Sequence, residues 1–79
     1  MGEGYEDLVR KEIRRIRQVC GLSIQELANE SGLSLSTVRN MEVGEASFSF
    51  INFARVCIAL GEHPSEVMRR AEQEAIITY

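Results

Sequence analysis

The feature that most constrains this sequence is a pair of short helical segments, bounded by capping residues, between Ser23 and Glu42. Ser23 is followed three residues later by Glu26, a capping box in which each side chain accepts a hydrogen bond from the other residue's backbone amide. Gly32 can take the left-handed conformation that closes a helix, and Ser34 can cap the helix that follows. The spacing therefore predicts two short helices joined by a tight turn.

This pair of segments has the form of a helix-turn-helix unit. Its apolar positions would dock the second helix onto the first: Leu27, Ala28, Leu33, Val38 and Met41. The same pattern leaves Leu35, Ser36, Arg39 and Asn40 facing outward. A B-form major groove admits such a helix, where Arg39 suits guanine or phosphate, Asn40 adenine, Ser36 either base and Leu35 a thymine methyl. We therefore expect these four side chains to read bases.

Three further helices complete an all-α prediction for a single domain over residues 1–79. Helix one runs from about Tyr5 to Cys20, because Val9, Ile13, Ile16 and Cys20 recur on one face. No alternation of apolar and polar residues is long enough to predict a strand. The fold class is therefore all-α, with five helices.

Helix four and helix five follow the central pair. Ser47 or Ser49 can cap helix four, whose apolar residues lie nearly all round it and predict that it is largely buried. Helix five begins at Pro64. Its inward positions are Val67, Met68 and Ala71, with Glu66 and Arg70 paired on the outside. We expect the surplus apolar residues of helix five and the tail to form a dimer seam: Met68, Ala71, Ile76 and Ile77.

The charge distribution of the chain is uneven. The net charge is −3, which argues mildly against a nucleic-acid partner. However, five of the nine basic residues lie within eight positions, namely Arg10, Lys11, Arg14, Arg15 and Arg17. Acidic residues gather near the other end, at Glu62, Glu66, Glu72 and Glu74, so we expect a polarised molecule. The basic run is either an ordinary solvated helix face or a phosphate contact.

Several classes of protein and site are not indicated by the sequence. Cys20 and Cys57 are too few and too far apart for a zinc site, and we expect both to be buried and reduced. There is no glycine-rich phosphate loop and no catalytic Cys/His constellation, so we expect neither an enzyme nor a cofactor. No apolar run approaches the length of a membrane span and the start lacks a signal-peptide pattern, so we expect a cytoplasmic protein.

The ordered set of short motifs resembles the phage-repressor-like (Cro/C1-type, XRE) helix-turn-helix domains, including restriction-modification controller proteins. The resemblance covers about Arg14 to Ala71. It rests on Ile16-Arg17, Gly21-Leu22-Ser23, Glu26-Leu27-Ala28, Ser31-Gly32-Leu33, Val38, Met41-Glu42, Gly44, Ile58-Ala59-Leu60-Gly61 and Pro64-Ser65-Glu66. It implies a five-helix, lambda-repressor-like domain that binds short operators as a symmetric dimer, with helix three in the major groove.

The resemblance also implies roles for individual residues. Arg17 and Glu42 match a buried structural ion pair, and phosphate contacts would come from Ser23 and the segment 45–49. The full set of phosphate candidates is Ser23, Gln25, Ser34, Thr37 and Ser47. Three positions depart from the family's pattern by lacking a phosphate-binding side chain: Ile24, Val43 and Glu45.

Together these features predict a homodimeric transcription regulator that binds a pseudo-palindromic operator in double-stranded DNA. The alternative is a helix-turn-helix module that has lost DNA binding and docks a protein partner, or an antitoxin whose tail binds its toxin. The acidic balance and the departures at Ile24, Val43 and Glu45 favour that alternative.

Overall fold

Five α-helices follow one another along the chain in a computed structural model: α1 (Tyr5–Val19), α2 (Ile24–Ser31), α3 (Leu35–Val43), α4 (Phe50–Ala59) and α5 (Pro64–Thr78). The structure describes residues 4–44 and 48–78, with side chains as far as Ala75. No strand occurs in these ranges, so the predicted all-α class with five helices is confirmed. Within them, no helix combines the length and apolar character needed to cross a membrane.

The predicted capping residues set the helix ends. The Ser23 hydroxyl accepts from the Glu26 amide at 3.0 Å, and the Glu26 carboxylate accepts from the Ser23 amide at 2.9 Å. Gly32 closes α2 with φ of +72°, a conformation in which a side chain would be strained. Ser34 caps α3, and of the two serines proposed for α4 it is Ser49 that caps it. Local chemistry therefore fixes the turn between α2 and α3.

The core lies between all five helices. Helix α1 packs against α5 and α3, while α2 packs against α3 and α4. The α1 residues Val9, Ile13 and Ile16 are buried as predicted, together with Leu27, Ala28, Val38, Met41, Phe53, Val56, Cys57, Val67 and Ala71. The face of α3 that carries Val38 and Met41 is therefore fixed against the domain.

Helix α4 is not buried all round, contrary to the prediction. Its inner residues Phe53, Val56 and Cys57 are buried, but Phe50, Ile51 and Ile58 are 68%, 62% and 69% exposed. Because α4 packs against α2 and α5 and no described residue covers its opposite side, one face is left in solvent. An apolar pattern around a helix cannot distinguish complete burial from an apolar outer face.

The predicted separation of charge into a basic end and an acidic end is wrong, because α1 and α5 pack side by side. Lys11 lies 3.7 Å from Glu74, and Arg70 lies 2.7 Å from Glu62 and 3.6 Å from Glu12. The hydrogen bond from Arg15 lowers the pKa of Glu12, against the opposing effect of burial. The partner of Glu66 is Arg69 rather than Arg70. Charges of opposite sign therefore meet across the α1–α5 contact instead of lying at separate ends.

The two cysteines lie in different environments, whereas both were expected to be buried. Cys57 is fully buried on α4, and Cys20 is exposed just after α1. Burial raises the pKa of the Cys57 thiol to about 12, with a smaller contribution from the negative charge of Glu62. Since the thiolate is the reactive form, Cys57 is protected both by its high pKa and by its burial.

We expect only one of the two thiols to react in the native protein. A chromogenic disulfide reagent at mildly alkaline pH should titrate Cys20 rapidly and Cys57 only after denaturant is added. The Cys20→Ser variant should then show no fast phase, and Cys57→Ser should retain it. A fast reaction of both thiols without denaturant would contradict the burial of Cys57.

Candidate nucleic-acid interface

The outer face of α3 carries three of the four predicted base-reading residues. Ser36 and Arg39 are exposed and Leu35 is half-buried at the start of the helix. Arg39 makes no hydrogen bond or ion pair with any other described residue, so its guanidinium is available to an external partner. Val43 extends the same exposed face at the end of the helix. The structure thus brings Leu35, Ser36 and Arg39 together on one surface.

Asn40, the fourth predicted base reader, lies at the edge of this face. It is half-buried, and its carbonyl oxygen accepts from the Gly44 amide at 2.8 Å. A Cβ atom at Gly44 would collide with Asn40 Oδ1 and would lie 2.5 Å from the Asn40 carbonyl oxygen. Only glycine allows this approach, so the Asn40 side chain is placed against the end of its own helix.

Three arginines of α1 hold the carboxyl end of α3. Arg17 donates from Nε and Nη2 to the Glu42 carboxylate at 2.6 and 2.9 Å, forming the ion pair that the sequence resemblance implied. Arg14 donates to the Glu42 carbonyl oxygen at 2.9 Å, and Arg10 donates to the Asn40 carbonyl oxygen. Arg14 thus satisfies a carbonyl that the helix end leaves unpaired, and Arg10 adds a second donor to the Asn40 carbonyl. Both arginines complement the partial negative charge of the helix end.

The roles of Arg10 and Arg14 were not identified from the sequence. Both belong to the basic run that the sequence predicts to be either a solvated helix face or a phosphate contact, yet Arg10 is buried and Arg14 half-buried. The spacing does point to a shared role, because positions 10, 14 and 17 are four and three residues apart and therefore lie on one helix face. These arginines contact the protein, which leaves less of the basic run for phosphates.

The phosphate candidates on α2 are partly occupied by contacts within the helix. Ser23 already caps α2, and the Glu26 carboxylate lies against the same amide groups. The hydrogen bond from the Ser23 backbone lowers the pKa of Glu26, so this helix end carries its own anion. Gln25 is exposed and donates to Asn29 Oδ1 at 3.0 Å. A phosphate near α2 would therefore compete with the carboxylate of Glu26.

The candidates at the start of α3 form a cluster of hydroxyl groups. Ser34 Oγ lies 2.7 Å from Thr37 Oγ1 and 3.3 Å from Ser36 Oγ, and it accepts from the Thr37 amide. Hydroxyls of this kind can donate to phosphate or to base edges. Ser47, the remaining phosphate candidate, lies outside the described residues.

The predicted dimer seam on α5 is divided by the structure. Ala71 is 1% exposed and packs within the core of its own chain, so its side chain is not available to a partner. Met68 is half-buried, and its carbonyl oxygen accepts from the Tyr5 hydroxyl at 3.1 Å. The side chains of Ile76 and Ile77 lie outside the described part of the chain. No group of three potential metal ligands occurs among the described residues.

A capped helix pair, an exposed second helix and a buried ion pair that fixes it define a helix-turn-helix protein. The chain belongs to the HTH_3 helix-turn-helix family, whose model matches residues 13–67. This is the XRE-type family that the sequence motifs indicated, and its members are DNA-binding transcription regulators.

Comparison with solved structures agrees with this assignment. The chain is similar to the clp gene regulator ClgR from Corynebacterium glutamicum, with a TM-score of 0.84 and 25% identity over 96% of this chain and 81% of that one. It is also similar to the restriction-modification controller protein C.AhdI from Aeromonas hydrophila, with a TM-score of 0.72 and 33% identity. That match covers 77% of this chain and 92% of that one. A search of curated protein sequences gives no significant match.

Removing Arg17 should cost much more stability than removing a solvent-exposed arginine. The Glu42 side chain is 1% exposed, so Arg17→Met would leave a buried carboxylate without its counter-ion, at a cost of about 3–5 kcal/mol. The double variant Arg17→Met/Glu42→Leu should recover much of this loss, because neither charge is then buried alone. Urea unfolding followed by circular dichroism measures the free energy of unfolding of both variants.

The matched control is Arg69→Met, which removes a half-exposed arginine whose partner Glu66 is itself 41% exposed, and it should cost about 1 kcal/mol or less. Equal losses for Arg69→Met and Arg17→Met would contradict the special role of the Arg17–Glu42 pair.

Proposed function

We propose that this protein is a homodimeric, sequence-specific transcription regulator that places α3 in the major groove of a short pseudo-palindromic operator. The observation that carries the proposal is the exposed Arg39, which has no partner among the described residues and lies beside Ser36 on the outer face of α3. Binding, rather than catalysis, is the activity that this arrangement supports.

Each α3 would supply direct base readout through a small set of side chains. Arg39 is suited to the two acceptors of a guanine, Ser36 to an adjacent base edge and Leu35 to a thymine methyl. Asn40 would contribute at the edge of the face, where its side chain must leave Gly44 to reach a base. Phosphate contacts would come from Ser34, Thr37, Ser23 and Gln25, and from Ser47 in the segment between α3 and α4.

A second copy would be needed for specific binding. The nine residues of α3 span about 13 Å, which is less than half a turn of DNA, so one helix reads one half-site. Two recognition helices about 34 Å apart read two half-sites on one side of the duplex. Because each copy offers few basic side chains to the phosphates, doubling the number of protein–DNA contacts matters more here than in a strongly basic domain.

The Arg39→Ala variant should bind operator DNA at least about fivefold more weakly than the wild type, because a bidentate contact to guanine is worth roughly 1–3 kcal/mol. Fluorescence anisotropy would be measured at low and at moderate salt, first with random duplexes and then with an operator selected from a random library. Wild-type binding should weaken as salt rises, since phosphate contacts release counterions.

Arg69→Ala is the matched control for this experiment. Arg69 is an exposed arginine on α5, so its removal changes the net charge equally without altering α3. Arg69→Ala should leave affinity nearly unchanged. Equal losses for the two variants would mean that Arg39 acts only through net charge, which would contradict base reading.

A second candidate function is a protein-interaction module or antitoxin on the same scaffold. It is favoured by the inward use of Arg10, Arg14 and Arg17, which removes most of the basic run from a phosphate-binding role. The exposed Val43 at the end of α3 also suits an apolar partner better than a phosphate. Absence of wild-type binding to any duplex at low salt would favour this candidate over DNA recognition.

A further inference from the structure

The guanidinium of Arg10 lies in a small buried cluster beside the end of α3, and only 5% of this residue is exposed. Its Nη1 donates to the Asn40 carbonyl oxygen, and its Nη2 donates to the Glu6 carboxylate at 2.8 Å. The Phe48 ring lies against the same guanidinium, with 4.9 Å between Cζ and the ring centroid. Arg10 therefore joins α1 to the end of α3 and to the residue that precedes the cap of α4.

The chemistry of this cluster suits an arginine in particular. A guanidinium is planar, so it can lie over an aromatic ring while the N–H groups at its edge donate to acceptors. Phe48 is itself placed by the core, because its ring packs against that of Phe53 with 6.1 Å between the centroids. The position of the Arg10 guanidinium is therefore set by packed neighbours on two sides.

The carbonyl that Arg10 contacts belongs to one of the predicted base-reading residues. The same Asn40 carbonyl accepts from the Gly44 amide at 2.8 Å, and Gly44 lies against the Asn40 side chain. Both donors act on the backbone from which this side chain extends. Since Asn40 stands at the edge of the reading face, its reach to a base depends on how firmly the last turn of α3 is held.

We infer that Arg10, supported by Phe48, is a positioning residue for base recognition: it fixes the last turn of α3 so that Asn40 meets its base pair in one arrangement. The inference rests on the proposed function, in which Asn40 reads a base. Recognition groups must be held within about 0.5 Å of their productive position by the residues behind them. Residues that touch no DNA therefore determine part of the sequence specificity.

The Arg10→Met variant should still fold. The Asn40 carbonyl keeps the Gly44 amide as a donor, and the Glu6 side chain is 47% exposed and stays hydrated. Neither of these partners becomes a buried group without a counter-ion, which is the situation that Arg17→Met creates. Circular dichroism checks the fold, so recognition can be compared between folded proteins.

The first measurement is amide hydrogen exchange of the full chain without DNA, followed by nuclear magnetic resonance. Arg10→Met should speed exchange of the Gly44 amide at least about tenfold, because the turn loses a hydrogen bond from a charged donor. The Val56 amide in the middle of α4 should change much less. A general loss of stability would instead speed both amides alike. Phe48→Leu should give the same pattern more weakly, because it removes the ring and keeps an apolar contact.

The second measurement is discrimination among single base-pair replacements in the selected operator, followed by fluorescence anisotropy. Asn40→Ala identifies the base pair that Asn40 reads. Arg10→Met should reduce discrimination there at least about threefold and leave it within about twofold at the base pair that Arg39 reads. The double variant Arg10→Met/Asn40→Ala should be no less selective at the first base pair than Asn40→Ala, because the two residues act through one contact.

Two control variants separate position from charge. Arg10→Lys keeps the net charge but lacks the planar group, so it should retain only part of the discrimination. Arg69→Met removes one positive charge from a half-exposed site on α5 and should match the wild type at both base pairs. Equal losses for Arg10→Met and Arg69→Met, or full discrimination in Arg10→Lys, would reduce Arg10 to a charge and overturn the positioning role.

Failure of the positioning role and failure of the proposed function give different results. If the wild type binds no duplex at low salt, the regulator is removed, and exchange of the Gly44 amide still decides whether Arg10 fixes the end of α3. Suppose instead that the wild type binds its operator through Arg39. Unchanged Gly44 exchange in Arg10→Met, an even loss of discrimination at every base pair, or no base pair sensitive to Asn40→Ala would then overturn the positioning role alone.

Discussion

The orientation of α3 depends on a buried carboxylate. Glu42 lies at the end of α3 with 1% of its side chain exposed, and Arg17 of α1 neutralises it through two hydrogen bonds. A buried charge is tolerated only when it is paired and hydrogen-bonded, so this pair admits few other arrangements of α1 against α3. Arg14 and Arg10 add donors to the carbonyls beside it. The recognition helix is thereby fixed by charge as well as by the apolar contacts of Val38 and Met41.

This use of arginine has a consequence for the outer surface. A chain with nine basic residues and a net charge of −3 directs three of the nine inward to α3 and pairs others with carboxylates of α1, of α5 and of the turn before α5. General attraction to phosphates is correspondingly weak. On the proposed function, discrimination among DNA sequences then depends more on individual base contacts, such as those of Arg39, than on non-specific affinity. Doubling the number of base contacts in a dimer therefore has a large effect on DNA binding.

The sequence predicted the local elements better than the relations between them. Capping at Ser23, Ser34 and Ser49 and closure at Gly32 depend on residues within a few positions, so helix ends could be read directly. The pairing of α1 with α5, which brings Lys11 close to Glu74 and Arg70 close to Glu12, depends on tertiary packing that no local pattern encodes. The exposed face of α4 was missed for the same reason, since apolar residues predict burial without saying whether the cover belongs to the same chain.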